Sequence, residues 1–253
     1  MSGLYNIQQF QPQKAKPFST WLIVGARGSG KSTLLENLLF HLRGHIEFPM
    51  AMTPTVSTIR MLEKHMPGSL IHHGYDFEAA DKFVSDCKEL VKRGKIRKVG
   101  FFNDDCMFDS KVMKTTTQRY LHLNGRHIRC TEITISQYSM IVPPVIRGNI
   151  DYVISLKEPS KNNKKKLYEY FFGCFPTYSD FNRVFTSLTE NHGAIVMDRT
   201  GNATTVNDCI FHYRAPPVTP PFTLGKRVFF VLDQAKRALK RRQNKTQGPQ
   251  RVV

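Results

Sequence analysis

Residues 25 to 32 read GARGSGKS, with three glycines, then a lysine and a hydroxyl directly after the last of them. Glycines at this density let a backbone curl until successive N–H groups face one point. Amide donors, an ammonium group and a hydroxyl converging on one point suit a phosphate chain with a divalent cation. Gly25, Gly30, Lys31 and Ser32 match the spacing G-x-x-x-x-G-K-[ST] of a P-loop. Candidate nucleotide contacts therefore run through Gly25, Ala26, Arg27, Gly28, Ser29, Gly30, Lys31, Ser32 and Thr33. Lys31 is expected to reach the β and γ phosphates, Ser32 to offer its hydroxyl to Mg2+, and Thr33 to pack or cap beside them. For Arg27 three roles stay open: phosphate contact, contact with a neighbouring subunit, or solvent.

Hydrolysis of a Mg2+ nucleotide also needs an acid at the end of another strand. The run KVGFFNDDC supplies Asp104 and Asp105 behind an apolar stretch. Asp104 is expected to hold Mg2+ through water, and Asp105 to orient and polarise the attacking water. The alternative is that both acids cap a helix starting near Asp109. In TEITISQY a third apolar run ends at Ser136-Gln137. Gln137 is the candidate sensor of the γ-phosphate and the lytic water; a strand-end glutamine bonded to backbone is the alternative. The cofactors implied are ATP and Mg2+.

The elements that must carry these groups follow from the apolar pattern. TWLIV, Thr20 to Val24, has the continuous apolar character of a doubly covered strand. STLLENLLFHLRG then places Leu34, Leu35, Leu38, Leu39 and Leu42 along a helix that stops at Gly44. Further strands are expected at FPMAM, SLIHH, KVGFFN, TEITIS, DYVISL, GAIVMD and DCIFHY, and helices over Asp76 to Arg93, Ser110 to Asn124 and Tyr178 to Glu190. Strands alternating with helices predict an α/β fold with a mainly parallel sheet. The expected division is a flexible N-terminal arm over 1–18, a P-loop ATPase domain over 19–215, and a Pro-rich linker with a basic tail over 216–253. The arm is rich in Gln, Pro and Lys, a composition that buries little. EPSKNNKKKL predicts an exposed loop. APPVTPPF excludes a regular helix or central strand, because its four prolines lack backbone donors. Beyond it, nine Lys or Arg against one Asp predict a basic amphipathic helix.

The sequence of 253 residues carries 37 Lys and Arg against 20 Asp and Glu, a formal charge of +17. That balance favours a polyanion, nucleic acid first, although a solvated basic surface has the same composition. Five scattered cysteines without Cys-x-x-Cys spacing predict reduced thiols in an intracellular protein. The first residues lack the apolar core of a signal peptide, and no apolar run approaches the ~18 residues of a membrane span. A soluble protein without a membrane-spanning segment is expected.

GARGSGKST, FFNDDC, LNGRHIRCTEITISQY, PPVIRGNIDYVISL and IVMDRTGNATTVNDCIFHYRA, taken together, resemble the genome-packaging ATPases of large eukaryotic DNA viruses, of poxvirus and giant-virus type, within the FtsK–HerA division of P-loop motors. The resemblance spans roughly Ser19 to Ala215. It implies a RecA-like sheet of strand order 5-1-4-3-2, a homo-oligomeric ring (pentamer or hexamer), and ATP-driven movement of double-stranded DNA into a preformed capsid through a capsid or portal vertex. It also implies action at the host-cell site of virus assembly. By position it puts Lys31 and Ser32 on Walker A, Asp104 and Asp105 on Walker B, and Gln137 on the polar sensor. Arg126 in NGRH and Arg147 in PPVIRGN fall where the family carries basic residues near the ring interface, so either is a candidate trans finger, Arg147 favoured. Arg147 as a local helix-end cap, and Arg126 as a DNA or surface contact, stay open. Asp105 departs from the glutamate of many relatives, a base shorter by one methylene. No room is left for a nuclease domain, so genome cutting is expected of another protein.

Lysines from Lys161 to Lys166 and the tail residues Arg237, Arg241 and Arg242 are candidate DNA contacts, to backbone rather than bases. A solvated surface is the alternative for each cluster, and capsid docking or a nuclear-entry signal for the tail. A helicase or other DNA-processing P-loop ATPase is the nearest rival function. A nucleotide kinase would need a phosphoryl acceptor and a lid, and a GTP switch an Asn-Lys-x-Asp motif, which RGNID does not supply.

Overall fold

The computed structural model describes residues 5–95, 98–106, 109, 111–138, 142–201 and 205–246, with side chains of the last helix described to Leu239. The strands are β1 (Gln8–Gln9), β2 (Thr20–Val24), β3 (Phe48–Thr53), β4 (Ile71–His73), β5 (Val99–Asp104), β6 (Cys130–Ser136), β7 (Tyr152–Ser155), β8 (Ala194–Asp198) and β9 (Ile210–Tyr213). They form one sheet in the order β1-β9-β8-β7-β2-β6-β5-β3-β4. Counting β2, β3, β5, β6 and β7 as first to fifth, its centre runs 5-1-4-3-2. From β7 to β4 every pairing is parallel; β8 is antiparallel to both of its neighbours, and β1 is parallel to β9. The fold is therefore the expected α/β class with a mostly parallel sheet.

β2 explains why its sequence is apolar without alternation. Trp21 and Ile23 join one core with the leucines of α1 (Lys31–Leu42), while Leu22 and Val24 join the opposite core with Phe172, Phe175, Phe181 and Phe185. The aromatic cluster is carried by α6 (Lys161–Tyr170), α7 (Tyr178–Leu188) and the turn between them. A third cluster packs α3 (Phe77–Lys92) and α4 (Thr116–Asn124) on β3, β5 and β6. Side chains set where helices begin: Asp76 accepts from Ala79 N at α3, Thr115 from Gln118 N at α4, Ser160 from Asn163 N at α6 and Thr177 from Asp180 N at α7. The remaining helices are α2 (Val56–Leu62), α5 (Pro144–Arg147), α8 (Val206–Cys209) and α9 (Arg227–Thr246).

The ends depart from expectation. The stretch over 5–18 is no free arm: Gln8 and Gln9 pair with Phe211 and His212, and Phe10 is buried with edge-on contacts to Trp21, Tyr152, Phe211 and Tyr213. One buried aromatic in a polar stretch is enough to anchor it, because Phe burial stabilises by roughly 1.5–3 kcal/mol. The Pro-rich segment lacks helix and strand, as its prolines require, yet Phe222 and Leu224 are buried and Phe222 stacks on the ring of His65 at 3.9 Å. α9 forms and docks through Phe229 on Phe48, Asp233 on Ser69 N and Arg237 on Glu63. The lysine-rich stretch is the start of α6 rather than a loop, since Ser160 caps it. The expected helix from Ser110 is a short 3-10 turn over Val112–Lys114 followed by α4, and Ser110 itself lies outside the described residues. So do residues 1–4, Asn202–Thr204 and 247–253.

Candidate nucleotide site

In a parallel sheet all the C-terminal strand ends open on one edge, where ligands bind beside a switch in strand order. Val24 pairs with Ser136 on one side and Ser155 on the other, and Asp104 pairs with Ile135. The P-loop, the acidic pair, Gln137 and the segment after β7 therefore share that edge.

The loop is held from both flanks: Gly25 N donates to Ser136 O at 3.3 Å and Ala26 N to Lys157 O at 3.1 Å. A Cβ at Gly25 would stand 2.6 Å from Ser29 Oγ and 3.0 Å from Leu156 Cβ, so only glycine fits. Gly30 ends the loop at φ 102°, a left-handed conformation that glycine adopts without penalty. Unlike α3, α4, α6 and α7, α1 starts with no side-chain cap, and its first turn also holds no acid. Its first N–H groups and the positive end of its dipole are left for an anion.

Lys31 folds back over this loop, donating from Nζ to Gly25 O at 2.8 Å and Ala26 O at 3.0 Å. Burial lowers its pKa, against the opposing pull of Asp105, Asp104 and Glu158. Asp104 is 7% exposed and accepts from Thr53 Oγ1 at 3.0 Å; burial raises its pKa, and the neighbouring Asp105 charge acts in the same direction. Asp105 stands at φ 53°, rare for a non-glycine residue and a form of strain that collects at functional sites. Its Oδ2 accepts from Gln137 Nε2 at 2.7 Å. The uncapped helix end, the lysine that among the described residues donates to loop carbonyls alone, and the buried carboxylate fit a Mg2+ nucleotide. Ser32, exposed beside the loop, and Asp104 offer the hard oxygen donors that Mg2+ takes.

The structure brings Gly25 to Thr33, Asp104, Asp105 and Gln137 to one edge. Among the described residues Gln137 bonds Asp105 and no backbone group, and the alternative of Asp104 and Asp105 capping a helix near Asp109 involves residues 107, 108 and 110, which lie outside the described residues. Arg27 is exposed. Arg126 and Arg147 lie at the opposite edge. Arg126 is exposed and lines a cavity of about 440 Å3 with Lys16, Thr20, Asp151 and Arg199, next to the strand starts. Arg147 donates from Nε to Val142 O at 2.8 Å and stacks 3.7 Å from the Tyr170 ring, a local contact of the capping kind. Of the candidate DNA contacts, Lys161 and Lys165 are exposed, Lys164 is engaged by Asn182, and Arg237 is engaged by Glu63 and Asp233. The side chains of Arg241 and Arg242 lie outside the described residues. Thr53 and Glu158 belong to the site without having been singled out from sequence. Glu158 is 6% exposed and accepts from Ser160 N at 2.9 Å, between the P-loop edge and the start of α6. Its only sequence signal was its place just after a predicted strand.

No family profile matches the chain. It is 30% identical over 194 residues to the uncharacterized protein 088R of Invertebrate iridescent virus 3, covering 77% of this chain and 74% of that protein. Uncharacterized protein 075L of Invertebrate iridescent virus 6 is 31% identical over 180 residues, 71% of this chain and 70% of that protein. Among solved structures, the genome packaging NTPase B204 from Sulfolobus turreted icosahedral virus 2, in complex with AMP, superposes with a TM-score of 0.59 at 15% identity, over 81% of this chain and 100% of that one. At that identity the likeness establishes the P-loop fold alone, and the sequence identities establish kinship: the chain belongs to the viral protein family that contains 088R and 075L.

Proposed function

We propose that the protein is a Mg2+-dependent ATPase that drives double-stranded DNA into a preformed capsid, working as a homo-oligomeric ring at a capsid or portal vertex. The observation that carries the ATPase part is the convergence of Lys31, Asp104, Asp105 and Gln137 on the edge where the uncapped α1 begins. The packaging part is supported by kinship with viral proteins, the fold shared with B204 and the charge of +17.

In this mechanism Lys31 leaves the carbonyls of Gly25 and Ala26 for the β and γ phosphates, where its ammonium stabilises developing charge. Asp105 accepts a proton from the attacking water, and Gln137, bonded to Asp105, positions that carboxylate and the water between them. The left-handed backbone at Asp105 redirects a side chain one methylene shorter than glutamate. Mg2+, held by Ser32 and Asp104, would neutralise phosphate charge. Arg126 or Arg147, distant from their own P-loop, would reach the γ-phosphate of an adjacent subunit. Lys161 and Lys165, on the helix that starts beside Glu158, would meet the DNA backbone.

The test is displacement of a triplex-forming third strand from duplex DNA during ATP hydrolysis. A motor on duplex strips the third strand and leaves the duplex intact. Separation of the duplex strands, with the third strand left in place on blunt duplexes, would favour a helicase and refute the packaging motor.

A further inference from the structure

The turn between α7 and β8 leans on the P-loop. Asn191 and His192 both hold left-handed backbone, at φ 50° and 59°, two consecutive non-glycine residues in a region such residues rarely adopt. The turn is pinned at Glu190, whose carbonyl accepts from Gly193 N at 2.9 Å and from Arg214 Nη2 at 3.3 Å, just past β9. Its effect is to aim the His192 ring at the phosphate loop. Nδ1 of His192 lies 3.2 Å from Ser29 O, and the same nitrogen stands 3.4 Å from where a Cβ of Gly30 would be. A carbonyl oxygen only accepts, so this ring nitrogen carries the hydrogen.

We infer that His192 is a positioning residue for phosphate recognition, acting through the Ser29–Gly30 peptide. In a planar trans peptide the carbonyl and the following N–H point in opposite directions. Holding Ser29 O toward His192 therefore turns Gly30 N–H the other way, toward the inside of the loop. Among the described residues that N–H has no hydrogen-bond partner, which leaves it for a phosphate oxygen. The left-handed φ of Gly30 would otherwise let this peptide flip at little cost. The strained turn thus serves to hold one phosphate donor in place. This inference rests on the nucleotide function proposed above and adds a residue to it.

The test uses the full chain, with ATPγS and Mg2+ titrated by calorimetry and thermal melting followed without nucleotide. His192→Gly and His192→Asn both suit a left-handed position but remove the ring from Ser29. Each is expected to bind about tenfold more weakly, the effect of one lost hydrogen bond of about 1.4 kcal/mol, while melting no lower than the natural chain. In addition, the Gly30 amide resonance should shift in both variants before any nucleotide is added. Unchanged affinity in the variants, with Lys31→Ala failing to bind, would overturn the role of His192 and leave the nucleotide site standing. Weaker binding with a fall in melting temperature would also overturn it, as a purely structural effect. A natural chain that binds no nucleotide would refute both.

Discussion

Asp104 ends β5 at the P-loop edge, while Glu132 lies within neighbouring β6, paired with Phe101 and Thr20 toward the strand starts, and burial raises the pKa of both. Their surroundings differ. Glu132 is fully enclosed: Thr134 Oγ1 donates to Oε1, and His122 Nε2 lies 3.4 Å from Oε2, with its own Nδ1 2.9 Å from Gln118 O. Among the described residues the partners of that carboxyl come from β6 and α4, and Oε2 itself has no hydrogen bond. Asp104 has Thr53 on one side, but its next residue is strained, Asp105 is tied to a half-exposed Gln137, and the nearby lysine bonds loop carbonyls instead of either acid. Glu132 thus keeps part of its desolvation cost inside a closed pocket, whereas Asp104 stands beside the P-loop lysine, where the proposed cation and phosphate would offset that cost.

Substitutions around the two carboxylates should therefore separate activity from stability. The largest effect is expected from Asp105→Asn, which keeps the bond to Gln137 possible but removes the base: ATP turnover should fall about 10² to 10⁴-fold with nucleotide affinity retained, measured by steady-state hydrolysis beside direct binding. In the closed pocket, His122→Ala leaves Glu132 buried without its ion-pair partner and should cost about 3 kcal/mol in denaturant unfolding, with the turnover of the folded fraction unchanged. Asp104→Asn should do the reverse, stabilising the nucleotide-free chain by about 1 kcal/mol because a buried carboxylate whose desolvation outweighs its Thr53 hydrogen bond is removed, while Mg2+-dependent turnover is lost. The smallest effect is a pH dependence. With its pKa raised in the folded state, Glu132 contributes stability at low pH that is lost as pH rises above about 4.5, the ordinary glutamate value. Unfolding curves across that range should show Glu132→Gln losing less stability than the natural chain.

What could be read from sequence follows the same division. Strands covered on both faces announce themselves as unbroken apolar runs, so β2, β5 and β6, and with them Lys31, Asp104 and Gln137 at their ends, were legible. The peripheral segments were not, because single buried side chains set their path: Phe10 in a Gln-rich stretch, Phe222 and Leu224 among prolines. Thr53, Glu158 and His192 were hidden for another reason. Each meets the site from an element far along the chain, and no local spacing encodes that meeting. α9 misleads by composition, since Asp233 and Arg237, two charged residues, lie on the face that docks.

The central claim is that the edge bearing the uncapped α1 is a hydrolytic nucleotide site that responds to DNA. Steady-state ATP hydrolysis with Mg2+, with duplex DNA, single-stranded DNA or none, measured for the natural chain and for Lys31→Ala, tests it most directly. The account predicts turnover that duplex stimulates most, that weakens as salt is added, and that falls to background in Lys31→Ala while the melting temperature holds. Turnover independent of Lys31, or a natural chain that hydrolyses no ATP under any of these conditions, would contradict it.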